Sequence, residues 1–132
     1  MKPPVEHVRI TARGKEVLVR IKRRTGLEHW NEICRIALCR SLANAIPPLE
    51  VEKFRETAIS IEWKTFAGDL QEELASLFFL RACKDNVDTT KKEVIQAYFR
   101  AHLERGIFSL NGVKDLVDFI KCFQDEEPIP KS

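Results

Sequence analysis

Cationic side chains recur at helical spacing near the N-terminus of this chain. They are Arg13, Lys15, Arg20, Lys22, Arg23 and Arg24. Arg13, Arg20 and Arg24 are separated by seven and four residues, which aligns them along one side of a helix, while the two lysines line the other flank. Arg23 should point away from the core. Because arginine and lysine form charge-assisted hydrogen bonds with phosphate oxygens, this pattern predicts a surface that could bind a polyanion.

Two helices must position these cations. Val17, Leu18 and Ile21 recur at the helical period, so we expect the first helix to bury this side. Thr25-Gly26 should end it, because glycine tolerates the left-handed conformation that is common at helix C-termini. The second helix has an apolar stripe of more than three turns, formed by Trp30, Ile33, Cys34, Ala37, Leu38, Ser41 and Leu42.

A short strand is predicted before the first helix, at residues 7–11. It alternates at period two, so Val8 and Ile10 should face a core. The side chains expected to face outward are His7, Arg9 and Thr11, of which the last can also act as the N-cap of the first helix. Strand, helix, turn and helix with a basic outer surface resemble the arrangement of ribbon-helix-helix repressors, in which two chains pair their N-terminal strands. That resemblance implies that outward strand side chains reach base edges.

An extended segment is predicted in the middle of the chain. Pro47-Pro48 should end the second helix, because proline lacks the amide hydrogen that a helix needs. Residues 49–56 have no firm period and could form a loop or one short helix. Residues 57–66 then alternate, and Ile59, Ile61 and Trp63 should lie on one side while Ser60, Glu62 and Lys64 lie on the other.

Three further helices are predicted after residue 66. The first two should begin with capping boxes, formed by Asp69 with Glu72 and by Thr90 with Glu93. The second should end at Gly106, and the third should begin after Asn111-Gly112. The first of these helices has Leu70, Leu74, Leu77, Phe78 and Arg81 at helical spacing and is apolar nearly all round at residues 77–80, so it should be central or interfacial. In the other two, the side chains expected to face the core are Val94, Ile95, Tyr98, His102, Val113, Leu116, Val117, Ile120 and Phe123. The polar, proline-containing tail at 125–132 should be disordered.

Length and composition favour one mainly α domain. The chain has 132 residues, of which 44% are apolar, enough for one core. We expect a single domain at 1–124, with a basic strand-helix-helix unit at 7–44 and a mostly helical remainder at 57–123. The sequence has neither the apolar run of a membrane span nor that of a signal peptide, which predicts a cytoplasmic protein. The cysteines should be reduced, buried and small apolar residues: Cys34, Cys39, Cys83 and Cys122.

Charge is distributed unevenly along the chain. The net charge is +2, but residues 1–46 contain ten lysines and arginines against four glutamates, whereas the remainder contains twelve bases against sixteen acids. A basic N-terminal unit favours a polyanion as the ligand of this surface, with the acidic remainder left for protein neighbours. The alternative is a solvated helix face with local ion pairs, such as Glu16 with Arg20.

Residues typical of enzymes are scattered. The sequence lacks a glycine-rich phosphate loop, a G-x-S-x-G elbow and an H-E-x-x-H motif. His7, His29 and His102 are far apart, and adjacent acids such as Glu72 and Glu73 are explained by a helix N-terminus. We therefore predict a protein without a catalytic site, metal or cofactor. A nicking activity stays open, because geometry rather than sequence order decides such sites.

Three separated blocks resemble one bacterial family. They are RIKRRTGLEHWNEICRIALCRSLA, WKTFAGD and RAHLERGI, and together they make the chain similar to the DNA sulfur modification protein DndE from about Val8 to Leu110. The resemblance implies a role in DNA phosphorothioation, where sulfur replaces a non-bridging phosphate oxygen. It also implies a homotetramer that prefers nicked duplex DNA, and partners that include an iron-sulfur sulfurtransferase subunit and an ATPase subunit.

The sequence therefore predicts an accessory protein that binds duplex DNA, preferably nicked, through phosphate contacts. The residues expected to make them are Arg9, Arg13, Lys15, Arg20, Lys22, Arg23 and Arg24. Such contacts release counterions and depend little on base sequence. Two alternatives stay open. A sequence-specific repressor would read bases with the outward strand residues, and a protein-only adaptor would dock the basic helix on an acidic partner in a sulfur-transfer complex.

Overall fold

The computed structural model describes residues 2–49 and 56–124 of the chain, without the side chains of residues 123 and 124. In chain order the elements are β1 (His7–Thr11), α1 (Ala12–Thr25), α2 (Trp30–Ala43), β2 (Thr57–Glu62), α3 (Trp63–Ala67), a 3-10 turn (Gly68–Leu70), α4 (Gln71–Lys84), α5 (Lys92–Ser109) and α6 (Leu116–Gln124). The predicted fold class, mainly α with an N-terminal strand-helix-helix unit, is confirmed.

The two strands pair within the chain. β1 runs antiparallel to β2, with Val8 opposite Ile61 and Ile10 opposite Ile59. Val8 and Ile10 are fully buried, as the alternation predicts. Thr11 was expected to face outward, and this was wrong: it is only 3% exposed. It lies at the N-cap of α1, where its hydroxyl accepts a hydrogen bond from the amide of Gly14 at 3.2 Å.

The predicted core sides of the first two helices are confirmed. α1 buries Val17, Leu18 and Ile21 and ends at Gly26, whose φ of 78° is left-handed. α2 buries the central part of its stripe, while Trp30 and Leu42 at the two ends are half-buried. α2 lies along α5, which is the longest helix and continues to Ser109 instead of ending at Gly106.

The extended segment is shorter than predicted. β2 ends at Glu62, and α3 begins at Trp63. A continuing strand would direct Trp63 and Phe66 to opposite faces, whereas helical spacing buries both of them. Their rings contact Phe99 of α5 with centroid distances of 6.1 and 5.9 Å. Burial of this aromatic cluster explains why the alternating pattern stops.

Neither predicted capping box forms. α4 begins at Gln71, after a turn that contains Asp69, and its N-cap residue Leu70 makes no side-chain hydrogen bond at the helix end. α5 has Lys91 at its N-cap, because the Thr90 hydroxyl donates instead to Asp88 at 2.6 Å. Such local side-chain hydrogen bonds compete with helix capping.

Several leucines and valines that were expected to face the core are exposed. For α4 the expectation was a central or interfacial helix, and the exposed leucines before and within it agree with that: Leu70 is 46% and Leu77 is 51% exposed. α6 buries Phe119 instead of the predicted side, and the exposed residues on it are Leu116, Val117 and Ile120. On α5, Val94 is also exposed. The prediction for the Phe123 side chain, like those for the tail at 125–132 and for most of the connector at 49–56, lies outside the described residues.

The cysteines differ in their surroundings. Cys34 is buried, and burial raises the pKa of its thiol to about 12, which keeps it protonated and unreactive. Cys122 is half-buried. Cys39 and Cys83 are exposed, so their predicted burial was wrong. Cys39 belongs to α2 and Cys83 to α4, and neither is among the residues that these helices bury.

Candidate nucleic-acid interface

The predicted phosphate-binding residues lie on the surface formed by β1 and α1. Arg20 and Lys22 are half-buried, and the others are exposed: Arg9, Arg13, Lys15, Arg23 and Arg24. The last turn of α1 carries three cations in succession, Lys22, Arg23 and Arg24. Glu16 is the only acidic residue of the whole helix. Among the residues that the structure describes, no carboxylate forms an ion pair with any of these seven cations. Their charge is therefore available to an external anion.

The stripe of three arginines lies against the C-terminal end of α5. Arg13 stands over the ring of Phe108, with 5.6 Å between the guanidinium carbon and the ring centroid. Arg20 donates to the side-chain oxygen of Asn111 at 2.7 Å. Arg24 donates to the carbonyl oxygens of Asn111 and Val113 at 3.4 and 3.2 Å. These contacts orient the guanidinium groups, and each leaves further N–H donors unused.

The cations on the other side of α1 are less constrained. Lys22 lies over the indole ring of Trp30 at 4.4 Å, a cation–π contact that holds the side chain on the start of α2. Lys15 and Arg23 make no hydrogen bond or ion pair within the described part of the chain. Removal of either side chain should therefore disturb the fold little.

α5 adds polar groups to this surface that sequence reasoning missed. Lys92, Gln96 and Arg100 are four residues apart and so share one side of α5, where they line a cavity of about 100 Å³ together with His7 and Arg9 of β1. The i, i+4, i+8 spacing was visible in the sequence. The sequence did not show that this side of α5 lies against the outer face of β1, because that contact joins elements that are far apart in the chain.

The block RAHLERGI lies in α5 and serves the packing of α5 against α2. Arg105 donates to the hydroxyl and the carbonyl oxygen of Ser41 at 2.8 and 2.7 Å, near the C-terminus of α2. His102 shares a hydrogen bond of 2.8 Å with the same hydroxyl. Gly106 approaches the backbone of Ala37. His102, Arg105 and Gly106 of this block thus hold α5 against α2.

A second arginine, besides Arg105, donates hydrogen bonds to carbonyl oxygens at the C-terminal end of α2. Arg81 of α4 donates to the carbonyl oxygens of Leu42, at 2.9 Å, and of Asn44. It also pairs with Asp85 at 2.9 Å, and the Tyr98 hydroxyl donates to the same carboxylate at 2.5 Å. The last carbonyl groups of a helix have no partner within it. Arg81 and Arg105 supply those partners for α2.

Burial and the two arginines give His102 an unusual titration. Burial, Arg105 and Arg81 lower the pKa of its imidazole from 6.5 to about 4, in that order of importance. Its Nε2 is buried and has no hydrogen-bond partner among the described residues. The ring is therefore neutral at pH 7 and stacks edge-on against Tyr98 at 4.7 Å.

This titration predicts how stability depends on pH. Between pH 6.5 and about 4 the unfolded chain binds a proton that the folded chain does not, so the free energy of unfolding should decrease as the pH falls through this range, by on the order of 2–3 kcal/mol. Urea unfolding at several pH values would measure the slope. His102→Asn should flatten it, whereas His29→Asn, at an exposed position, should leave it unchanged. An unchanged slope in His102→Asn would contradict the assignment.

The described part of the chain offers neither a metal site nor a membrane-spanning helix. Within residues 2–49 and 56–124, no group of three or more histidine, cysteine, aspartate or glutamate side chains is placed to hold a metal ion. In the same part of the chain no helix combines the length and the apolar character that a bilayer crossing requires. The basic surface is thus the feature to compare with known proteins.

The comparisons agree on one family. The model of the family "DNA sulphur modification protein DndE" matches residues 7–118. No curated protein matches the sequence. Among solved structures, the chain resembles the crystal structure of DndE from Escherichia coli B7A, which is involved in DNA phosphorothioation modification. The TM-score is 0.64 with 19% sequence identity, and the match covers 80% of this chain and 96% of the other, which shows a shared fold. The chain belongs to the DndE family of DNA sulphur modification proteins.

Proposed function

We propose that this protein is an accessory DNA-binding subunit of the DNA phosphorothioation machinery. It binds duplex DNA through phosphate contacts from α1 and β1 and has no catalytic role of its own. The observation that carries this proposal is the set of seven surface cations without a carboxylate partner within the described residues. Membership of the DndE family supports the assignment to DNA phosphorothioation. The partners would be duplex DNA and the iron-sulfur sulfurtransferase and ATPase subunits of the same system, in the cytoplasm.

The dimensions of α1 suit a sugar-phosphate backbone. With 14 residues and about 1.5 Å of rise per residue, α1 is about 21 Å long. One strand of B-DNA carries a charge for about every 3.4 Å of helix axis, so α1 can lie along several consecutive phosphates. Contacts of this kind fix position and carry no base information. Burial of Thr11 also removes one of the three side chains that a base-reading strand would need.

A preference for nicked duplex follows from the cost of bending. A continuous duplex resists deformation, whereas a nick removes one covalent backbone connection and lowers this cost. The cations of this surface come from three elements, α1, β1 and α5, and we expect DNA that bends to reach more of them than straight DNA does. Self-association into a tetramer would bring several such surfaces together, and exposed apolar side chains suited to that contact are Leu77, Leu80, Leu116, Val117 and Ile120.

Neutralising Lys15 and Arg23 should weaken DNA binding without loss of stability. In a gel-shift titration at several salt concentrations, Lys15→Gln/Arg23→Gln should bind duplex about tenfold more weakly or worse, and the slope of log K against log salt should decrease by about two. A matched control is Lys64→Gln/Lys84→Gln, which removes two exposed lysines from α3 and α4.

The same titration separates the proposal from its alternatives. Tighter binding to nicked than to intact or single-stranded DNA, without dependence on base sequence, is the expected result. If the double variant and its control show the same affinity and salt slope as the wild type, α1 is not the DNA-binding surface. If the wild type binds none of the three DNAs at low salt, the protein is an adaptor rather than a DNA-binding subunit.

A further inference from the structure

The cavity between β1 and α5 differs from the rest of the basic surface because it is concave. Its rim carries Arg9, Lys92, Arg100 and His7, and Gln96 lies among them. Phe99, which is 2% exposed, and Val5, which is 6% exposed, form an apolar floor. A floor of this kind holds the polar side chains apart and lowers the local dielectric constant, which strengthens their attraction for an anion.

The charged groups of this cavity have few partners inside the protein. Arg9 and Arg100 make no hydrogen bond or ion pair with any described residue, although each carries five N–H donors. Glu6 is the single carboxylate on the lining. It lies 4.0 Å from Lys92, with 75% of its side chain exposed, and it forms no ion pair with Arg9 or Arg100. A solvent-exposed pair at this distance is weak. The N–H donors of Arg9 and Arg100 are therefore open to an external anion.

The size of the cavity selects the anion. A volume of about 100 Å³ is well below the roughly 300–1,000 Å³ of pockets that hold drug-sized ligands, so the cavity suits one phosphate group better than a nucleoside. Phosphodiesters within a duplex lie along a convex ridge and meet α1 well. A terminal phosphate monoester projects from the strand end, carries a charge of about −1.5 to −2 at pH 7, and presents three oxygens to surrounding donors.

We infer that this cavity binds a terminal phosphate monoester at a DNA strand end, with Arg9 and Arg100 as the principal donors and Gln96 and Lys92 as secondary ones. The inference rests on the proposed DNA-binding function and deepens it. The series of cations then continues from the cavity past Arg13 to the last turn of α1, so a strand that leaves the cavity meets phosphate-binding residues along its path. A phosphorylated nick would be held by its end and by its backbone.

The test compares nicked duplexes that differ only at the nick. The wild type should bind a nick with a 5′-phosphate or a 3′-phosphate about tenfold more tightly than a nick with hydroxyl groups on both ends, the effect expected of about one added charge-assisted hydrogen bond. A comparison of the duplex with a 5′-phosphate and the duplex with a 3′-phosphate at the nick identifies which strand end the cavity binds. Arg100→Gln should abolish the preference for the phosphorylated nick. Arg9→Gln is a second variant, and Lys84→Gln is the control.

Inorganic phosphate provides a readout that is independent of DNA binding. At constant ionic strength, phosphate in place of chloride should raise the Tm of the wild type and of Lys84→Gln, and this increase should disappear in Arg100→Gln. Equal affinity for phosphorylated and unphosphorylated nicks would overturn the inference and leave the proposed function intact. A phosphate-dependent Tm without any DNA binding would support the cavity as an anion site and reject the DNA-binding function.

Discussion

Replacing Gly106 with alanine is expected to destabilise the protein by about 3 kcal/mol or more. A Cβ atom at this position would lie 1.8 Å from the carbonyl oxygen of Ala37 and 2.4 Å from its carbonyl carbon. Both are backbone atoms, so no rotamer change can relieve the overlap. α2 would have to move away from α5, and the hydrogen bonds of His102 and Arg105 with Ser41 would lengthen as a result.

Gly112 provides the matched control. A Cβ at Gly112 would meet no atom within 4 Å, and its φ is not in the positive region. Gly112→Ala should therefore change stability by no more than about 0.5 kcal/mol. Thermal and urea unfolding of both variants would measure the difference, and Gly106→Ala should lower the Tm by about 10 °C or more. Similar midpoints for the two variants would show that α2 and α5 are packed less closely than the structure has them.

Gly106 also shows where sequence reasoning stops. Glycine after a helical pattern usually marks a helix end. Here α5 continues to Ser109, because the glycine is needed for a close approach to a helix whose sequence lies about sixty residues earlier. The local sequence contains no sign of Ala37. The same limit applies to Arg20 and Arg24, whose spacing predicted a free stripe and whose guanidinium groups reach the segment after α5.

Periodic patterns were reliable where one side of an element faces the core. The strand at His7–Thr11 and the buried sides of α1 and α2 agree with the structure. α6 is different, because it carries apolar residues on more than one side. Phe119 alone among its described side chains is nearly fully buried, and hydrophobicity could not rank it above Val117, which is 62% exposed. Which apolar side is buried depends on the neighbouring helices.

The candidate site was predictable in part. The cations of α1 form a pattern within one helix, and that pattern places them on the surface without knowledge of the fold. The contribution of α5 depends on the packing of Lys92, Gln96 and Arg100 against β1, which local sequence does not encode. A sequence can therefore indicate a phosphate-binding helix, whereas a concave anion site between two elements becomes visible only in three dimensions.

Loss of the Arg81 guanidinium should be the other strongly destabilising change. Arg81→Met keeps the aliphatic part of the side chain and should cost about 3 kcal/mol. The side chains of Arg81 and Asp85 are only 6% and 8% exposed, so removal of one leaves the other as a buried charge. The carbonyl oxygens of Leu42 and Asn44 would also lose their donor at the end of α2. Lys84→Met, at an exposed position on the same helix, should have little effect.

Because Arg81 pairs with Asp85, the loss of stability in Arg81→Met should depend on pH. Burial alone raises the pKa of Asp85, but the hydrogen bonds from Tyr98 and Arg81 and the charge of Arg81 outweigh burial and lower it. In the wild type, the carboxylate therefore stabilises the fold at neutral pH, and this contribution is lost as the pH falls through the pKa of the folded state. Without Arg81 the Tyr98 hydrogen bond still lowers the pKa of Asp85, but the two lowering contributions of Arg81 are lost. The pKa of Asp85 should therefore be higher in Arg81→Met, which should lose less stability on acidification than the wild type.

A double-mutant cycle would measure the interaction energy between Arg81 and Asp85. Asp85→Asn removes the charge that Arg81→Met leaves unpaired, so the double variant should be more stable than the sum of the two single changes predicts, by about 1 kcal/mol or more. Urea unfolding at neutral pH measures all four proteins. Additive effects would mean that Arg81 acts only as the cap of α2 and that its pairing with Asp85 contributes nothing. Coupling would instead show that one guanidinium joins α4, α5 and the end of α2 into a single cooperative unit, which holds the basic face of α1 and α5 in position.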